Sequence, residues 1–175
     1  MGAPSKAVPR KDPWSMRGRA QTAAANANLT SPSDTRRVII RYTNGSLLRG
    51  YLSDVDIQEL RTNAPDQFAI RNAAGDRETV EVTGLKAIFF VKSFEGSQDY
   101  SEFKVFTHQP SGKGVWVRVH FHDGEVMEGI APNALGTFLG SVFSLTPPDP
   151  QSNNETVIVS KNCLENMQIL GLASD

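Results

Sequence analysis

The feature that most limits what this chain can fold into is a duplication. Arg37-Val-Ile-Ile-Arg-Tyr-Thr-Asn-Gly-Ser-Leu-Leu-Arg-Gly50 returns as Trp116-Val-Arg-Val-His-Phe-His-Asp-Gly-Glu-Val-Met-Glu-Gly129. Each copy reads as an alternating strand, an Asn-Gly or Asp-Gly turn, a second strand and a closing glycine. Further along, Glu78-Thr-Val-Glu-Val82 matches Glu155-Thr-Val-Ile-Val159, and Leu85-Lys-Ala-Ile-Phe-Phe-Val91 matches Leu164-Glu-Asn-Met-Gln-Ile-Leu170. A repeat of this length describes two related small β units, not one large fold.

Four segments follow. Residues 1–35 carry Pro4, Pro9, Pro13 and Pro32 and no apolar stripe, so they read as a disordered basic leader. Five basic side chains stand there against two acidic ones. Trp14 is read as solvated or as an anchor for a partner. The first repeat spans 36–95, a connector 96–114, and the second repeat 115–175. The connector, entered just after Phe94, holds Tyr100, Phe103, Val105 and Phe106, too many apolar groups for a free linker, and is expected to pack on the repeats.

Within the repeats, period-two alternation assigns the faces. Val38, Ile40 and Tyr42 point one way, and Val115, Val117, Val119 and Phe121 point inward in the second copy. Asn44-Gly45 suggests a two-residue type I′ turn. Gly50 and Gly129 mark bends. Asp54 to Asn63 reads as a short helical turn, Phe68-Ala-Ile70 as a third strand, and Ala87–Val91 as a strand apolar on both faces, hence central. Phe138 onward reads as a strand leading into a loop stiffened by Pro147, Pro148 and Pro150.

About five short, bent antiparallel strands per repeat make an all-β chain of two tandem SH3-like small barrels behind the leader. The pattern of Asn44-Gly45, Leu47-Leu48-Arg49-Gly50, Phe68-Ala-Ile70 and the break at Thr83-Gly84 resembles Sm-like domains, and Asp123-Gly124 with Gly129 repeats the outline. The resemblance covers most of 36–172 and implies small barrels that associate through their last strands. The RNA-contacting Lys-His or Arg-Gly pair of that family has no counterpart at Thr83-Gly84-Leu85 or Ser160-Lys161-Asn162, so no RNA-binding residue is carried over. The second repeat, with its Pro148-Asp-Pro-Gln-Ser-Asn-Asn154 loop, also resembles an uncharacterised bacterial domain family, a likeness that implies no chemistry.

Charge and motif content narrow the function. The body after residue 35 holds thirteen basic and seventeen acidic residues, a poor match for a phosphate backbone. Cys163 is the only cysteine, so no intrachain disulfide forms and a reducing cytoplasm is expected. No nucleophile elbow, P-loop or Rossmann glycine pattern occurs, so no catalytic residue and no cofactor is expected.

The candidate sites are three. His120 and His122 share a strand face about 7 Å apart and form a weak metal candidate with Glu125 or Glu128. Arg36, Arg37 and Arg41, followed by Asn44-x-Ser46, are similar to the arginine and Asn-x-Ser elements of PilZ domains, a resemblance that implies a cyclic-dinucleotide sensor. Asp149, Ser152, Asn153 and Asn154 on a rigid polar loop, with Trp116 and Arg118, form a candidate partner surface. The expectation is a non-enzymatic binding or assembly module with a protein partner or self-association. RNA binding and second-messenger sensing are the alternatives; a small ligand or a membrane is not expected.

Overall fold

The computed structural model describes residues 35–63, 65–96 and 100–173, so the leader up to residue 34, with Trp14, lies outside the described residues. Ten strands carry the fold: β1 Thr35–Tyr42, β2 Leu47–Ser53, β3 Gln67–Asn72, β4 Arg77–Glu81, β5 Leu85–Val91, β6 Gly114–Phe121, β7 Val126–Ala131, β8 Val142–Leu145, β9 Asn154–Ser160 and β10 Leu164–Ala173. Among the described residues two α-helices, α1 Asp54–Asn63 and α2 Leu135–Leu139, and a 3-10 turn at Lys161–Cys163 interrupt them. The chain is all-β in architecture. Among the described residues no helix is long and apolar enough to cross a membrane.

The two repeats have one register. Val38 lies opposite Gly50 on β2 and Phe90 on β5, and its counterpart Val117 lies opposite Gly129 on β7 and Ile169 on β10. In the first repeat the hydrogen-bonded order is β4-β3-β2-β1-β5. The second follows the same order, with β7 and β8 joined only at Ile130 and Thr146.

The hairpin turns differ from the two-residue form the dipeptides suggested. Gly45 N–H donates to the Tyr42 carbonyl and Tyr42 N–H to the Ser46 carbonyl, each at 3.0 Å; Gly124, Phe121 and Glu125 repeat this at 2.9 Å. The glycines have φ of 82° and 83°. That is the three-residue loop with a left-handed glycine bulge. Asn44 and Asp123 fit because each side-chain oxygen accepts the N–H two residues on, at 2.9 and 3.1 Å.

The closing glycines are needed for a different reason. A Cβ on Gly50 would stand 2.5 Å from the Arg71 carbonyl oxygen, and one on Gly129 would stand 2.8 Å from that of Thr146. The bend brings the third strand against bare backbone in both repeats. Phe138 and Leu139, expected in a strand, instead belong to α2, and the strand begins at Val142.

The repeats do not stand apart. β5 pairs with β9 in antiparallel register, Ile88 opposite Ile158 and Phe89 opposite Val157. This makes one seven-stranded sheet, β4-β3-β2-β1-β5-β9-β8, beside a three-stranded sheet, β10-β6-β7. Two cores result. Ile88 and Phe90 join Val38, Ile40, Leu52 and Ile70 on one side, with Val142 and Ile158 of the second repeat closing the end. Ala87, Phe89 and Val91 point to the other side and pack with Val117, Val119, Phe121 and Val157. Every residue of β5 is therefore buried, as its two apolar faces required.

Candidate functional site

The polar residues singled out in the sequence serve the joint between the repeats and the seat of the connector. Lys86, buried at the start of β5, bonds Asp123 and also reaches Glu125 at 2.6 Å, with its ammonium 4.5 Å from the Phe121 ring centre. Glu125 also takes Arg41 at 3.2 Å and Lys104 at 2.8 Å. Burial alone would push the Glu125 carboxyl up. The bonds from Lys104 and Lys86 outweigh it and bring the pKa down to about 2. The first repeat supplies cations here, and the second supplies the carboxylates from its hairpin turn.

Glu128 is the second hub. Its side chain is wholly buried and accepts Trp116 Nε1–H at 3.0 Å, Arg118 at 2.8 and 2.5 Å, and the Phe106 N–H at 2.9 Å. Burial opposes its charge, and those donors together hold the carboxyl below its ordinary range. Phe106 meets the Trp116 ring edge-to-face at 6.0 Å. Trp116 and Arg118, expected on a partner surface, clamp the connector instead.

The polar loop does the same at its own end. The Asp149 carboxylate accepts Tyr100 Oη–H at 2.6 Å, and this bond foremost holds its pKa down. Ser152 and Asn154 bind Glu102 at 2.6 and 2.9 Å. Asn153 exchanges two hydrogen bonds with the Ser93 backbone, at 2.9 and 2.8 Å. Asp149, Ser152 and Asn154 hold the connector, and Asn153 holds the end of the first repeat. Beside them an open cleft of about 750 Å³ is lined by Phe103, Val105, Pro147 and Pro148 among others.

The arginines do not converge. Arg36 pairs with Glu155 at 3.0 Å and lies 4.7 Å from the Phe90 ring centre. Arg37 donates to the Lys92 carbonyl at 3.2 Å, and Arg41 is spent on Glu125. The histidines also remain apart from other ligands. His120 is half-buried with an unpartnered Nε2, His122 is exposed, and Glu125 and Glu128 are engaged as described. Among the described residues no group of three or more His, Cys, Asp or Glu could hold a metal ion. Cys163 is buried, donates to the Leu85 carbonyl at 3.0 Å, and has its thiol pKa pushed up by burial.

The surface that remains unsatisfied is an edge. In the three-stranded sheet, the outer side of β7 is taken: Glu128 N–H donates to the Lys104 carbonyl at 2.8 Å, and Ile130 bonds Thr146. At the other margin, among the described residues, β10 pairs only with β6. None of its ten residues is buried. Ile169 is 59% exposed and Leu172 62%. Gln109 donates to the Leu172 carbonyl at 3.2 Å, and no other described strand pairs with the free side. β10 is the last strand of the second repeat, the kind of strand through which the Sm-like resemblance implies association, and it carries no charge after Glu165.

Against known proteins, the family model described as a family of unknown function, DUF6982, matches residues 34–171. No curated protein and no solved structure matches the chain.

Proposed function

We propose a function from the geometry, because the chain belongs to the DUF6982 family, whose function is unknown: the protein is a non-enzymatic assembly module that binds another polypeptide by strand addition along β10. One observation carries the reading. β5 and β10 hold the same place in their repeats, and among the described residues β5 has a strand on both sides while β10 has one on a single side. A long apolar edge with free backbone donors and acceptors is a template for a further strand.

The polar clusters support the same reading from the other direction. The cations and carboxylates that would serve chemistry or phosphate binding are paired with one another or with backbone at the repeat joint and the connector. The acidic body offers a phosphate backbone little attraction. The lone, carbonyl-bonded cysteine suits action in a reducing cytoplasm.

A photo-crosslinking phenylalanine analogue placed at the exposed Gln168 of β10 tests this in the expressing cell. The expected result is discrete polypeptide adducts that survive nuclease. No adduct, or adducts removed by nuclease, would overturn the reading.

A further inference from the structure

Resting on the strand-addition reading, we infer that the occupant of the β10 edge is β10 of a second copy of this chain, paired about a two-fold axis.

The chain holds one model for such a contact within itself, and that model argues against the head-to-tail alternative. β9 joins β5, and the counterpart of β9 in the first repeat is β4, which among the described residues pairs only with β3. A head-to-tail assembly would therefore set β10 of one copy against β4 of the next. In the β5·β9 register Ile88 faces Ile158, and both are buried. Their counterparts in the repeat are Met167 and Glu81. Copying the contact between chains would press a carboxylate on the apolar end of the second core, which costs free energy unless the charge finds a partner. β4 also carries Arg77, Glu78 and Glu81 within five residues, the charge placement that keeps an edge strand from pairing.

β10 is built the other way. One charged residue, Glu165, stands at its start, and Met167, Ile169, Leu170 and Leu172 follow without another. Its best complement is a strand of equal length and equal apolarity, which a second β10 supplies. Antiparallel pairing of β10 with itself is isologous, so it closes at two copies and leaves the guarded β4 edges outside. It extends β10-β6-β7 into one six-stranded sheet and covers Ile169 and Leu172 in both copies.

Light scattering of the full-length protein after size exclusion tests the assignment. The expected particle is a dimer of twice 19.1 kDa whose mass does not grow with loading. Ile169→Lys with Leu172→Lys, at positions already exposed, should give a monomer with an unchanged circular dichroism spectrum. Glu81→Lys should leave the dimer intact. A wild-type monomer at the highest attainable concentration overturns the inference, as does a particle that grows with loading and responds to Glu81→Lys. The crosslinker at Gln168 separates the two levels. Adducts of a monomeric chain with a foreign protein sink the second-copy assignment and leave the edge reading standing. A monomer without adducts sinks both.

Discussion

Phe90 and Ile169 occupy the same position in the two repeats, each opposite a buried valine of the first strand, yet Phe90 is wholly buried and Ile169 is 59% exposed. The difference comes from what lies beyond them. Phe90 sits under Arg36 and in the cluster closed by Val142 and Ile158, whereas Ile169 belongs to a strand with one neighbour among the described residues.

The joint between the repeats depends on Lys86. Lys86→Met keeps the apolar stem and removes the ammonium from between Asp123 and Glu125. Glu125 retains Lys104 and Arg41, and Asp123 is half exposed, so the loss is smaller than for a fully enclosed pair. Urea unfolding should show a destabilisation of about 2 kcal/mol with an unchanged slope.

Acid should weaken the fold through the same cluster. The folded pKa of Glu125, about 2, lies below its ordinary 4.5. Its contribution is therefore complete above the ordinary value and disappears as pH falls towards about 2. Glu128 and Asp149 are shifted in the same direction and add to the loss. The urea midpoint should fall steadily on acidification through this window, and Glu125→Gln should flatten the dependence.

Glu128 should be among the most sensitive polar side chains in the second repeat. Glu128→Ala leaves Trp116 Nε1–H, the Arg118 guanidinium and the Phe106 N–H without their acceptor. The expected cost is about 3 kcal/mol, since Arg118 can still reach water. Amide exchange at Phe106 should accelerate beyond what the global loss of stability accounts for, because the connector is released first.

Two glycines should answer differently to the same substitution. Gly45→Ala meets no atom within 4 Å and pays only for a left-handed backbone, about 1 kcal/mol. Gly50→Ala drives a Cβ to 2.5 Å from the Arg71 carbonyl oxygen and 2.8 Å from Ile70 Cδ1, so β2 and β3 must separate. Thermal or urea unfolding should rank Gly50→Ala well below Gly45→Ala in stability.

Much of the fold was legible because strands sharing one face with a core alternate locally. Val115, Val117, Val119 and Phe121 could be assigned inward without knowing any partner, and all four are buried. Ala87–Val91 could be placed centrally because its two faces are both apolar. The candidate site was less legible. Asn153 looked like a free recognition residue, and its bonds to Ser93 sixty positions away leave no trace in local pattern. Trp116 and Arg118 looked solvent-facing because they alternate with core residues, but the connector lies across that face and Glu128 turns inward to meet them.

What the sequence determined by itself is the duplicated unit: its strand faces, its Asn/Asp-Gly turns and its bending glycines, all set by interactions within a few residues. Only the tertiary structure decided that β9 lies on β5 while, among the described residues, no strand lies on the outer side of β10. Backbone edges are alike in every strand, so the choice between them rests on which distant side chains, such as Ile158 or Glu81, the neighbouring strand brings against the open end of a core.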